Sequence, residues 1–182
     1  MMQHTPLNVS LSYGRTFVCD SMPLEKFKRV SKGFGVTIND VFLCCAAGAL
    51  RRLLQDKEYN PNRHPLIAGT PFAGKRPEGW QGLGNFATVD YCWVHSEIED
   101  PVARLQASHK AAVEMKEHMK ETLAAGVDLS SLFQICPPWV MGLLRWYINR
   151  KQGGIGLFGN LVLSNEPGPR EPVYFNTYKM DG

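Results

Sequence analysis

In the stretch TINDVFLCCAAGALRRLL, residues 37–54, the apolar side chains Phe42, Leu43, Ala46, Ala47, Leu50, Leu53 and Leu54 recur at spacings of three and four. That periodicity lines one face of a helix. Arg51, Arg52, Gln55 and Asp56 fall on the other side, where they are expected to meet water. Upstream, RTFVCDSM is rich in strand formers, and Pro23 then opens a helix through Leu24, Phe27 and Val30 that stops at GFG. Two strands come next, PLIAGTPF from Pro65 and NFATVDYCWVH from Asn85, and in the second Ala87, Val89, Tyr91 and Trp93 alternate onto one face. Asp100 as cap and Pro101 at the first helical position open a long charged helix over DPVARLQASHKAAVEMKEHMKETLAA.

Asp128 or Ser130 then caps a short helix through Phe133, which the Pro137–Pro138 pair breaks before WVMGLLRWYINRK resumes. Asn160 to Leu163 reads as a buried strand stopped by Pro167 and Pro169, and VYFNTYKMDG starts another strand. Strands alternating with helices predict an α/β (α+β) two-layer sandwich, a mixed sheet packed with helices.

Thr37 and Asp40 bracket the start of the second helix as a capping box: the hydroxyl accepts from the amide of residue 40 and the carboxylate accepts from the amide of residue 37. That assigns Asp40 mainly to architecture. Asn39 has no comparable role at the second helical position. Its amide either ties the helix start to a neighbouring loop or holds a group that takes part in chemistry.

Composition changes this picture little. The chain has 182 residues, 44% hydrophobic and 20% charged, which suits one domain with a sizeable core. Its formal charge of +3 comes from scattered Lys and Arg, so nucleic acid is not an expected partner. The five cysteines Cys19, Cys44, Cys45, Cys92 and Cys136 contain no C-x-x-C pair and read as reduced core residues. The N-terminus lacks the pattern of a secretory leader, and the longest apolar run, Val41 to Leu50, is about half a membrane span. A cytoplasmic protein is expected, with contact to a membrane or lipid inclusion left open. Asn8 in NVS fits a glycosylation pattern by accident on this reading.

Candidate chemistry is sparse. GTPFAGKR, residues 69–76, approximates a phosphate-binding loop, but Arg76 stands where a Ser or Thr should hold Mg²⁺, and the Pro and Gly residues after it start no helix. A turn between strands is the expected structure. His4, His64, His95, His109 and His118 show no spacing that places two on one helical face beside a carboxylate, so no metal site is expected. His109 lies on the Val102, Leu105 and Ala112 side of its helix and reads as a half-buried, hydrogen-bonded imidazole. His95 could serve as a base only beside a substrate pocket, and a serine-hydrolase elbow is absent. WVMGLLRWYINRK is apolar nearly all round and is expected to be buried; Trp139, Trp146 and Tyr147 beside basic residues leave lipid contact as the alternative.

TPLNVSLSYGRTFVCDSMPLEKFKRV, GVTINDVFLCCAAGALRRLL, LGNFATVDYCWVHSEIEDPVARLQASHKA and NLVLSNEPGP, in that order, resemble the C-terminal half of the wax ester synthase/diacylglycerol acyltransferase family. The resemblance spans nearly the whole chain. It implies a chloramphenicol-acetyltransferase-like, CoA-dependent acyltransferase fold in which an acyl-CoA thioester and an alcohol meet in a tunnel between two halves. The family's base is the second His of a His-His-x-x-x-Asp-Gly motif, and no two histidines are adjacent here.

The resemblance therefore implies that residues 1–182 form a single C-terminal acyltransferase domain truncated at both ends. It would carry no catalytic residue of its own, be inactive in isolation and depend on an N-terminal half bearing that motif. Acyl-CoA would be a substrate, with no separate cofactor, and a fatty alcohol or diacylglycerol the acceptor. Asn39 and Asp40 match the family's Asn-Asp motif and would support activity. Ser164 and Asn165 would border the tunnel, where a hydroxyl or amide can hydrogen-bond the oxyanion; the plain alternative is that Asn165 to Pro169 only make a turn. A non-catalytic lipid or acyl-CoA binding module is the alternative function.

Overall fold

The computed structural model describes residues 5–9, 14–73, 87–124, 136–151, 159–166, 168 and 171–179. Helices α1 (Leu24–Phe34) and α2 (Ile38–Asp56) lead through a 3₁₀ turn (Pro61–Arg63) into β1 (Leu66–Ala73) and β2 (Ala87–Val94). Then come α3 (Pro101–Ala124), α4 (Pro138–Lys151), the short β3 (Leu161–Val162) and a hairpin of β4 (Tyr174–Phe175) and β5 (Tyr178–Lys179). The main sheet has the order β2-β1-β3, with β1 antiparallel to β2 and parallel to β3. It is a mixed sheet with helices packed on it, the two-layer arrangement expected from the alternation of elements.

Most element starts stem from local chemistry. Gly35, in the left-handed region at φ 67°, ends α1 as only a residue without Cβ does cheaply. Thr37 and Asp40 form both halves of the capping box. Asp100 Oδ2 accepts from the Ala103 amide at 2.7 Å, and Pro101 comes next at the first position of α3. The core then forms where α2 and α3 cover one face of the sheet: Ala47 and Leu54 meet Leu66, Ala68 and Val94, while Leu43 meets Cys92, Ala111, Ala112 and Met115. Each fully buried aliphatic side chain there contributes about 1.5–3 kcal/mol.

Several expectations are corrected. Residues 14–20 form no strand and are exposed, because none of the described segments offers them a ladder. Arg51 does not face water. It is 7% exposed and donates to Asn62 Oδ1 at 2.7 Å, the Ser96 carbonyl at 3.0 Å, the Glu97 carbonyl at 3.1 Å and Glu99 Oε2 at 3.2 Å. The guanidinium can be buried because its fork of donors is matched by acceptors from the 3₁₀ turn and the β2–α3 connection. Among the described residues the Asn160–Leu163 strand shrinks to two residues, paired with β1 alone, and Val162 is exposed. On α4, Trp139, Leu143, Trp146 and Tyr147 are exposed rather than buried. Of the cysteines only Cys44 and Cys92 are buried; Cys19 and Cys45 are exposed, Cys136 is intermediate, and all five are free thiols. The short helix expected before Phe133 lies outside the described residues.

The start of β3 is tied down by polar contacts. Asn160 donates from Nδ2 to Asn8 Oδ1 at 2.7 Å and accepts at Oδ1 from the Ile67 amide at 2.9 Å, while the Thr5 hydroxyl also donates to Asn8 Oδ1. Asn8 is thus spent inside the protein, consistent with an accidental glycosylation match. Among the described residues no single helix is long and apolar enough to cross a membrane.

The Arg51 network yields a stability prediction. Arg51→Met should lower the unfolding free energy by about 2–3 kcal/mol, since the buried carbonyls lose a charged donor. The exposed neighbour Arg52→Met should change it by less than about 0.5 kcal/mol, and urea denaturation of the two variants checks the difference.

Candidate functional site

The first turn of α2 sets the site. Thr37 has an extended backbone, so its hydroxyl reaches the Asp40 amide at 3.2 Å, and Asp40 Oδ2 accepts from the Thr37 amide at 2.8 Å. Asp40 is only 1% exposed. The same Oδ2 sits 2.7 Å from Nδ1 of His109 on α3. A carboxylate only accepts, so Nδ1 carries the hydrogen and donates. Oδ1, the other carboxylate oxygen, is buried and makes no hydrogen bond among the described residues.

Cys92 on β2 lies in the field of this carboxylate. Burial first, then the charges of Asp40 and Asp90, pushes its thiol up to about 11. Asp90 forms a second carboxylate–imidazole pair with the same helix: its Oδ2 lies 3.2 Å from His118 Nδ1, and its Oδ1 accepts from the Tyr91 amide at 2.8 Å. α3 therefore supplies an imidazole to a buried carboxylate of α2 and to another of β2. His95, at the end of β2, is paired with Glu97 at 2.7 Å. Among the described residues no cluster of three or more His, Cys, Asp or Glu could hold a metal ion.

Asn39, next to Asp40, meets Asn165 just beyond β3: Asn165 Nδ2 donates to Asn39 Oδ1 at 3.3 Å across 126 positions of sequence. Both stretches singled out in the sequence, Asn-Asp and Ser-Asn, thus converge at one end of the sheet. Ser164 is exposed there and makes no side-chain hydrogen bond among the described residues. The register places Ile67 across from Trp93 and Gly69 across from Tyr91 on the sheet face away from the helices, where a groove of about 300 Å³ opens beside Ile67, Tyr91, Cys92 and Trp93. The alternation read in β2 is present, but Tyr91 and Trp93 lie on the open face, 47% and 46% exposed. The phosphate-loop likeness dissolves, since Gly69 to Ala73 are strand β1 and not a loop.

Sequence reasoning placed His109 on the inner side of its helix but gave it no partner. His118 was weighed only as a metal ligand, and its pairing with Asp90 was missed; Asp90 sits in the β2 register with Cys92 and Val94, and a carboxylate in the inward phase of a strand was the signal available.

The thiols separate by environment. At pH 8, iodoacetamide should modify exposed Cys19 fastest, Cys45 more slowly because burial and Cys44 raise its thiol, and Cys92 not at all in the folded protein. Because the folded-state value of Cys92 is raised, its protonated form favours the native state below about 9. That contribution is lost as pH rises from 9.0 towards 11, so stability should fall across this window. Peptide mass spectrometry and urea midpoints against pH measure the two effects.

The WS/DGAT C-terminal domain family matches residues 83–182, and the wax ester synthase/diacylglycerol acyltransferase catalytic domain family matches residues 1–42. A Mycobacterium tuberculosis protein named as a diacylglycerol O-acyltransferase is 39% identical over 176 residues, covering 97% of this chain and 37% of that protein. The O-acyltransferase WSD of Acinetobacter baylyi is 30% identical over 175 residues, covering 96% of this chain and 36% of its own length. The solved wax ester synthase/diacylglycerol acyltransferase of Marinobacter aquaeolei VT8 aligns over 100% of this chain and 39% of its own, with a TM-score of 0.64 and 24% identity, which shows a shared fold. The chain spans little more than a third of the length of these relatives. With a family match over more than half of its residues and relatives along nearly all of it, the chain belongs to the wax ester synthase/diacylglycerol acyltransferase family.

Proposed function

We propose that residues 1–182 act as the C-terminal part of a long-chain O-acyltransferase, moving a fatty acyl group from acyl-CoA to a fatty alcohol or diacylglycerol. The observation that carries this reading is the contact between Asn39 and Asn165 beside exposed Ser164. An amide nitrogen has two hydrogens. With one engaged by Asn39 Oδ1, the second is an oriented donor at the strand end.

In the reaction a base supplied by a segment outside this chain takes the proton of the acceptor hydroxyl as its oxygen attacks the thioester carbonyl. The negative charge that develops on the carbonyl oxygen is met by the second Asn165 N–H and the Ser164 hydroxyl. Collapse of the tetrahedral species forms the ester, breaks the carbon–sulfur bond and returns the proton to the departing CoA thiolate. Apolar surface such as the groove beside Ile67, Tyr91 and Trp93 suits an acyl chain. Work at the cytoplasmic surface of a membrane or lipid inclusion fits these substrates.

A second reading, a lipid or acyl-CoA binding module without chemistry, is favoured by the exposed Trp139, Leu143, Trp146 and Tyr147 of α4. Turnover separates the two. The complete protein, given palmitoyl-CoA and a long-chain alcohol, should release free thiol, and residues 1–182 alone should release none. Asn165→Ala should reduce kcat by about 10²-fold, the usual loss for one oxyanion donor, with little change in the KM for acyl-CoA. Binding of acyl-CoA without turnover by the complete protein would leave the module reading standing and remove the first.

A further inference from the structure

The Asp40 carboxylate is tied from two directions. Thr37 N–H reaches Oδ2 from within the first turn of α2, and His109 Nδ1 reaches the same oxygen from α3, 69 residues away. A capping box needs only the first of these donors. The second joins the start of α2 to a different element, and its acceptor is 1% exposed while the His109 side chain is 42% exposed.

The apolar contacts between these helices do not set the same variable. Val41, Cys44 and Leu105 pack together and hold α2 and α3 at contact distance, but apolar contact is non-directional and tolerates rotation of a helix about its axis. A 2.7 Å hydrogen bond to a buried oxygen does not. Asn39 immediately precedes Asp40, so the rotation that places Asp40 Oδ2 on His109 is the rotation that presents Asn39 Oδ1 to Asn165. The contacts run from α3 through α2 to the end of β3.

We propose that His109 is a positioning residue for acyl transfer: through Asp40 it fixes the first turn of α2, and so holds the Asn39–Asn165 pair in register. The proposal rests on the acyltransferase reading for its effect on rate, though not for its geometry. His109 touches no reacting atom on this account. It acts by supplying one N–H at the Nδ1 position.

That chemistry selects the variants. Asn carries its amide nitrogen where the imidazole carries Nδ1, whereas Gln reaches out to the Nε2 position; both are polar, and helix propensity favours Gln over Asn, opposite to the order of rates expected here. In the complete protein, His109→Gln should lower kcat about tenfold with the KM for acyl-CoA nearly unchanged, and His109→Asn should stay within about threefold of the parent. His109→Gln combined with Asn165→Ala should be no slower than Asn165→Ala alone, because both act on one contact. The side-chain amide resonances of Asn39 and Asn165, read by NMR in the same proteins, should move in His109→Gln and stay in His109→Asn.

Equal rates for the Gln and Asn variants, or losses that multiply with Asn165→Ala, would overturn the proposal. If the parent protein shows no acyl transfer, the functional reading fails by itself, and the amide resonances then decide the His109 inference: unmoved signals in His109→Gln refute it.

Discussion

A carboxylate held away from water at the first turn of α2 is the constraint on which the candidate site depends. Asp40 must find its donors inside the protein, because burying an unpaired charge costs several kcal/mol. One donor comes from its own cap and one from His109 on α3. Meeting that demand fixes where the helix begins and how it is turned against its neighbour. The consequence is that Asn39, adjacent in sequence, arrives beside Asn165 at the end of β3. The same residue thus answers both halves of the question raised by an Asn-Asp pair: the aspartate is architecture, and the asparagine is what the architecture presents.

The remainder of the fold serves the same end of the sheet. β3 contributes only two ladder residues, yet its entrance is held by Asn160, which bonds both the Ile67 amide and the buried Asn8 side chain. Gly159 precedes it at φ 86°, where a Cβ would collide with the Ile67 carbonyl oxygen. A strand this short, with so few ladder bonds among the described residues, is therefore pinned by side chains and by a close backbone approach. Ser164 and Asn165, at the exit of that strand, inherit its placement. On the other side of the layer, Arg51 gathers the 3₁₀ turn and the β2–α3 connection, which fixes where α3 starts and hence where His109 lies.

The sheet is covered by α2 and α3 on one face, and the groove beside Ile67, Tyr91 and Trp93 opens on the other. The exposed Trp139, Leu143, Trp146 and Tyr147 of α4 are further apolar surface among the described residues. The chain covers 37% of the mycobacterial relative's length.

The start signals of α2 and α3 were legible because each is local: Thr37 and Asp40 are three residues apart, and Asp100 and Pro101 adjoin the turn they cap. Strands β1 and β2, the stop at Gly35 and the family resemblance were legible for the same reason, since period and short motifs survive in one dimension. Arg51 shows where that reasoning stops. Helical period put it on the wet side, and only the arrival of Asn62 and two carbonyls from the β2–α3 connection made burial affordable. Likewise the period of β2 separated its two faces but could not say which would be covered, as that depends on where α2 and α3 land. The partners of Asp40, Asp90 and Asn39 lie 69, 28 and 126 residues away. Such pairings are set by the packing of whole elements, so tertiary structure alone decided them.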